Sequence, residues 1–376
     1  MDIDITWLLL GLPLAFVLGW LASRFDIRQL RIDNKRSPKV YCKGLNHWRN
    51  EQQDQAIDAF IEAVQKDPDT SELHFALGNL FRRRGEYDRA VRVHEHLLAR
   101  GDLPKADHVR AQHALALDFL KAGLLDRAED AMGKLEGTKF EQEARLARMS
   151  IFERTRDWPA AQQVAQQLQT SGQGDFSTRL AHYLCEQAAL AAPEQQASLL
   201  QEAIRVAPQA ARPPMALSAL QEASGDPDLA LNTLLAGIES SPNAIPLIAN
   251  KLVQLGLASH RTEAVQAALQ AFYVQSHSLD ALQALQQLHA STPSAAAASA
   301  LLLEHLKAEP SLVVAAQLMK ANPATPPDIQ RALDKAAQPL LRYRCAACGF
   351  EASRHFWQCP GCQSWDSYST RRVEEL

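Results

Sequence analysis

Four cysteines near the end of the chain, Cys345, Cys348, Cys359 and Cys362, form two Cys-x-x-Cys pairs separated by ten residues. Each pair turns the chain so that two sulfurs face one point, and two pairs complete a tetrahedral thiolate set. Four thiolates suit Zn(II) and also a mononuclear iron, so one Fe or Zn ion per chain is the expected cofactor. Residues 341–376 are too few to close an apolar core, whereas a structural zinc site contributes on the order of 10–16 kcal/mol. Cys42 and Cys185 stand apart from this set in helical context and read as small buried hydrophobes.

That reading depends on compartment, because paired cysteines mean metal or redox chemistry where disulfides are rare. The N-terminus supplies the compartment. Ile5–Ser23 runs nineteen residues without a charge, through Trp7, Leu8, Leu9, Leu10, Val17 and Trp20. As a helix this stretch is about 28 Å long, close to the roughly 30 Å of a bilayer's hydrocarbon core. Trp7 and Trp20 sit near its ends, where indoles favour the headgroup level. A cleaved signal peptide would carry basic residues first, but Asp2 and Asp4 precede the stretch, and Arg24, Arg28, Arg31, Lys35, Arg36 and Lys39 follow it. Residues 1–23 are therefore expected to be an uncleaved membrane anchor and 24–36 a basic juxtamembrane segment. The positive-inside rule places the N-terminus in the periplasm and residues 24–376 in the cytoplasm.

Between anchor and cysteines lies a repeat. Gly44 and Gly78, Ala56 and Ala90, and Pro208 and Pro242 are each 34 residues apart. The clearest unit holds Leu77, Gly78, Phe81, Gly85, Tyr87, Ala90 and Leu97, and a later one Phe119, Gly123, Ala128 and Leu135. This pattern resembles the tetratricopeptide repeat, a helical hairpin whose apolar face only the next hairpin covers. The fold class expected is all-α: a tetratricopeptide-repeat solenoid over 37–322, with an N-terminal transmembrane helix and a small C-terminal metal ribbon. About six to eight units fit the length. They degenerate after about residue 255, where Asp280 is the one Asp, Glu, Lys or Arg between Ala264 and Leu303. This stretch reads as repeats with looser packing or a partner on their outer face. Pro323, Pro326 and Pro327 then interrupt the helical register, Asp328 reads as a helix cap, and 323–340 forms a linker and helix before the ribbon at 341–376.

Within the ribbon, Cys345-Ala346-Ala347-Cys348-Gly349-Phe350 and Cys359-Pro360-Gly361-Cys362 both resemble the knuckles of rubredoxin. The ten-residue spacer is far shorter than a rubredoxin's, and Gln363 stands where a glycine normally follows the second pair. Six aromatics crowd the segment: Tyr343, Phe350, Phe356, Trp357, Trp365 and Tyr368. Some are expected to pad the metal and others to remain exposed as an anchor for another surface. The site therefore reads as structural.

No Walker loop, dinucleotide-binding glycine fingerprint or His-Glu-x-x-His pattern occurs. His94-Glu95-His96 puts its histidines on different sides of a helix, and Arg82, Arg83 and Arg84 read as a solvated helix end before Gly85. No enzymatic activity is expected. A formal charge of -4, and five Arg against four acidic residues in the ribbon, oppose a nucleic-acid role.

Anchor, repeats and ribbon together resemble the lipopolysaccharide assembly protein B family of the Gram-negative inner membrane. The residues carrying the likeness are Gly78-Asn79-Leu80-Phe81-Arg82, Gly85-Glu86, Asp88-Arg89-Ala90, Ala122-Gly123-Leu124, Asp126–Asp130, Tyr343-Arg344-Cys345 and Cys348-Gly349-Phe350, with Trp357, Cys359-Pro360, Cys362 and Trp365. The resemblance implies an adaptor in the cell inner membrane that promotes degradation of the UDP-3-O-acyl-N-acetylglucosamine deacetylase committing precursors to lipid A. The partners it implies are that deacetylase, the membrane-bound AAA+ metalloprotease and an inner-membrane lipopolysaccharide sensor, with other lipopolysaccharide assembly proteins. A scaffold for lipopolysaccharide enzymes and a redox or iron sensor at the cysteines are the alternative readings.

Overall fold

The computed structural model describes residues 16–18, 20, 53–67, 69–290, 295–322 and 324–376. Residues 16–18 and 20 are helical and exposed. The rest of the expected anchor, the basic segment 24–36, Cys42 and Gly44 lie outside the described residues. Among the described residues no helix is long and apolar enough to cross a membrane.

Two compact units divide the chain, the first ending at Arg156 and the second beginning at Asp157. The first contains α1 (Gln53–Lys66), α2 (Ser71–Arg84), α3 (Tyr87–Ala99), α4 (Lys105–Ala122), α5 (Leu125–Gly133) and α6 (Glu141–Thr155). Each helix packs on the next, and α2 also touches α4, as a stack of hairpins requires. Hairpins form because each inner helix ends on a residue that can adopt left-handed φ. Gly85 (φ +83°) and Gly123 (φ +78°) close α2 and α4, and their amides return to the last-turn carbonyls. Ala56, Phe60 and Ala63 share one buried face and join Leu73, Leu77, Leu80, Phe81 and Ala90 in a single cluster.

Gly78 has a more specific cause. A Cβ there would lie 2.5 Å from the ring of His94, which is fully buried. His94 Nδ1 meets Asp118 Oδ2 at 2.5 Å, and Arg82 donates to Asp118 Oδ1 at 2.9 Å and to Ala114 O at 3.1 Å. Arg82 is therefore not part of a solvated helix end. It belongs to a buried network tying α2, α3 and α4 together, and neutralises a carboxylate that burial alone would forbid.

The second unit continues with α7 (Trp158–Thr170), α8 (Ser177–Leu190), α9 (Pro193–Val206), α10 (Arg212–Ala223), α11 (Pro227–Ser240), α12 (Ile245–Ala258), α13 (Thr262–Ser276), α14 (Leu279–Ala290), α15 (Ala295–Ala308), α16 (Leu312–Ala321) and α17 (Pro327–Ala337). Proline at the first turn starts α9, α10, α11 and α12, where a missing N–H costs nothing. The side chains of Asp157, Asp226 and Ser311 accept from the amides of Ala160, Leu229 and Val314 and cap α7, α11 and α16. Asp328, expected to cap, lies instead in the first turn of α17 and bonds Arg331; Pro326 occupies the cap position.

The stretch expected to pack loosely packs well. Among its described residues, Val265, Leu269 and Ala284 are fully buried, in a cluster running from Ala230 to Leu288.

Gly78→Ala is expected to lower the stability of the first unit by roughly 1–3 kcal/mol, through steric conflict with a ring that Asp118 holds in place. Gly101→Ala, which meets nothing within 4 Å and has no positive φ, should be neutral. Thermal melts of both variants followed by circular dichroism check the contrast.

Candidate metal centre

β1 (Tyr343–Arg344) and β2 (Glu351–Ala352) pair antiparallel, Tyr343 opposite Ala352 and Arg344 opposite Glu351, and the first knuckle is the turn between them. In that knuckle the amide of Cys345 donates to Phe350 O and the amide of Gly349 to Cys345 O, both at 2.9 Å. The second repeats the pattern: Cys359 N–H to Ser364 O and Gln363 N–H to Cys359 O, both at 2.9 Å. Gly349 and Gln363 thus hold equivalent positions, with φ of +78° and +63°. The left-handed conformation is required at 363, and glutamine adopts it at a cost of about 1–3 kcal/mol.

The knuckles bring the four cysteine sulfurs within 4.8 Å of one another. Cys345 and Cys362 Sγ are 3.8 Å apart and Cys348 and Cys359 Sγ 3.7 Å. An ion about 2.3 Å from four tetrahedral sulfurs spaces them about 3.8 Å apart, which these two separations match, so the cluster could hold a metal ion. Cys345 and Cys359 are buried, Cys362 half-buried and Cys348 exposed. Burial pushes the Cys345 thiol up, but the Ser367 hydroxyl and the amides of Cys348 and Ala347 outweigh it and bring it to about 6. The Ser364 hydroxyl and amide lower Cys362 likewise. Part of the site thus favours the thiolate form that a cation needs.

The ribbon does not stand apart from the repeats of its unit. Trp365 stacks on His182 of α8, with ring centroids 4.7 Å apart, and meets Trp158 and Tyr183 edge-on at 6.2 and 6.1 Å. His182 is 1% exposed, and its Nε2 lies 2.9 Å from each oxygen of Asp366. Leu247 of α12 packs on the cluster of Tyr343, Cys345, Cys359 and Tyr368. The aromatics expected to reach for another surface therefore find it in this chain's own helices. Phe350 is the exception, 44% exposed beside the knuckles.

A second set of contacts follows the ribbon. Arg372 donates to both oxygens of Asp280, from Nε at 2.8 Å and Nη2 at 2.7 Å, while Nη1 donates to Leu341 O at 2.8 Å. Glu375 accepts the amide of Leu279 at 2.9 Å, at the start of α14. Glu374 accepts the amides of Leu312 and Val313 at 2.6 and 3.1 Å, and the Ser311 hydroxyl at 2.6 Å, at the start of α16. Two carboxylates from one short turn, Val373–Glu375, thus satisfy orphan N–H groups where the helix dipoles are positive.

None of His182, Trp158, Arg372, Glu374 and Glu375 was singled out as a site residue from sequence. The lone charge of Asp280 in an otherwise uncharged stretch was the available signal, since a nearly buried carboxylate (6% exposed) requires a cation. Nothing local marks His182, whose partner is 184 residues away.

Helical hairpins and a four-cysteine ribbon seated on them define a tetratricopeptide-repeat protein with a rubredoxin-type metal-binding module. Residues 41–100 match the tetratricopeptide repeat family and residues 343–368 the rubredoxin metal binding domain. The lipopolysaccharide assembly protein B of Escherichia coli strain K12 is 30% identical over 379 aligned positions, 96% of each chain. Its counterpart in Haemophilus influenzae is 27% identical, again over 96% of each. The chain belongs to the lipopolysaccharide assembly protein B family. A tetratricopeptide repeat protein from Parabacteroides merdae, of known structure, is 13% identical with a TM-score of 0.35, covering 67% of this chain and 98% of that one.

Arg372→Ala is expected to cost roughly 3–5 kcal/mol by leaving Asp280 buried and unpaired. Hydrogen exchange should then quicken at the starts of α14 and α16 as well as in the ribbon. Gln363→Gly is expected to stabilise the ribbon by about 1 kcal/mol through relief of left-handed strain, read as slower metal loss to a chelator.

Proposed function

We propose that this protein is a non-catalytic, membrane-tethered adaptor acting in lipopolysaccharide assembly and its regulation. The observation that carries this reading is the match to relatives named for lipopolysaccharide assembly along 96% of both chains, spanning repeats and ribbon alike. The site supports it, because all four thiols turn toward one point, the closed arrangement of a structural ion. When bound, Zn or Fe supplies cross-linking of the two knuckles. Cys345, Cys348, Cys359 and Cys362 hold it, while Trp365, Asp366 and Arg372 orient the ribbon on the helices.

In this reading residues 1–23 cross the inner membrane once, with the N-terminus periplasmic and residues 24–376 cytoplasmic. The tether confines repeats and ribbon to the membrane plane, where the AAA+ metalloprotease also resides. Confinement raises effective concentration without any new contact. The repeats and ribbon then engage the lipid A-committing deacetylase and present it for degradation, and a lipopolysaccharide-sensing membrane protein opposes them. The word assembly in the relatives' names favours a second reading, a scaffold that gathers lipopolysaccharide enzymes. Proximity labelling that recovers such enzymes but no protease selects the scaffold.

Deleting residues 1–31 is expected to make the deacetylase accumulate in cells while the remaining chain still folds. Immunoblots of the deacetylase beside circular dichroism of the purified fragment test this. Unchanged deacetylase levels would sink the adaptor reading.

A further inference from the structure

Three hydroxyls surround the cysteine cluster, and the fold alone gives them no task. Ser367 Oγ lies 3.2 Å from Cys345 Sγ, and Ser364 Oγ lies 3.3 Å from Cys362 Sγ. The third belongs to Tyr368, whose ring is buried in the same cluster as Cys345 and Cys359. Its hydroxyl is buried with no hydrogen-bond partner. A buried O–H with no acceptor is costly, and a neighbouring thiolate is the acceptor that removes the cost. The exposed Cys348 has instead the amide of Phe350 beside it.

Ser367 carries one proton, and its oxygen also sits 3.1 Å from Ser364 O. A neutral carbonyl and a sulfur compete for that proton. An ionised sulfur wins, because charge-assisted hydrogen bonds are about twice as strong as neutral ones. The two serines flank the same edge of the tetrahedron, Cys345–Cys362, and the Tyr368 ring packs with Cys345 and Cys359. Two of the four sulfurs thus have a hydroxyl within hydrogen-bond reach, and a third hydroxyl, that of Tyr368, is unpaired within the same buried cluster.

We propose that Ser364, Ser367 and Tyr368 form a hydroxyl belt that donates to metal-bound thiolates and tunes the site to a divalent ion, Zn(II) or Fe(II), over Fe(III). The proposal rests on reading the ribbon as a metal site. A divalent ion leaves four thiolates with two net negative charges and a ferric ion with one. Hydrogen bonds donated to sulfur stabilise the more negative state, and so raise the potential at which bound ferric iron accepts an electron. The belt thereby suits the ribbon to a fixed cross-link, since a bound iron resists oxidation.

The test uses the full-length chain purified in detergent and loaded with iron. Iron content is measured first; a wild-type chain that takes up no iron and no zinc overturns the metal-site reading itself, before the belt is tested. Loaded protein is then titrated between dithionite and ferricyanide with mediator dyes, following the ferric–thiolate absorption. Ser364→Ala combined with Ser367→Ala, and separately Tyr368→Phe, are expected to lower the ferrous-to-ferric ratio at a fixed potential. For the serine pair the expected change is about tenfold, which is 59 mV for a one-electron couple. The corresponding threonine pair, which keeps both hydroxyls, should restore the ratio, and the exposed Ser353→Ala should leave it unmoved. Alanine variants that lose iron while the threonine pair retains it support the belt. An unmoved ratio in loaded alanine and phenylalanine variants, or iron lost from alanine and threonine pairs alike, overturns it.

Discussion

A body the size of the ribbon cannot fold on apolar burial alone, and this constraint shapes the C-terminal half of the molecule. Its two strands are two residues each, and its buried cluster is Tyr343, Cys345, Cys359 and Tyr368. Half of that cluster is cysteine, so sulfurs that could hold a metal are also part of the core. Leu247, His182, Tyr183 and Trp158 supply what is missing from outside, and the ribbon is completed by helices of its own unit. Cross-linking by an ion and seating on the helices are two halves of one stabilisation.

The dependence runs in the other direction too. Helices α14 and α16 begin with N–H groups that no preceding turn can satisfy. At α14 the amide of Leu279 finds Glu375, and at α16 the amides of Leu312 and Val313 find Glu374, with Ser311 assisting at Val314. Asp280 is nearly buried and is neutralised by an arginine ninety-two positions later. Placing these partners on the segment after the ribbon makes the last repeats and the ribbon one cooperative body. An isolated repeat array cut before the cysteines would carry an unpaired carboxylate at 280 and leave the amides of Leu279, Leu312 and Val313 without their acceptors.

What sequence reveals of this differs by the range of the interaction. The cysteine spacing and the repeat positions at Gly85 and Gly123 are local and were legible, whereas the proline-led starts of α9 to α12 were not singled out. The decay of the repeat signature after residue 255 misled about packing, because the pattern records which residue fills a position while packing needs only volume and apolarity. Gln363 was legible as a departure, and only its backbone angle shows that the left-handed turn survives the loss of glycine. Arg82 looked like a surface cation since its acid, Asp118, lies two helices away. The pairing of His182 with Asp366 was invisible for the same reason, and although the lone charge of Asp280 stood out, nothing local named Arg372 as its partner.

The ribbon's seat also constrains how such a protein can meet others. Partner binding by helical repeats is expected along the face built from one helix of each hairpin. In the second unit the ribbon and the turn after it contact His182 on α8, Leu247 on α12, Asp280 on α14 and the start of α16. A partner approaching there meets the ribbon. It encounters a composite of knuckle and helix, including exposed Phe350 and the Cys348 edge. Recognition at this end then requires a folded ribbon, and any event that removes the ion alters the surface presented by the repeats.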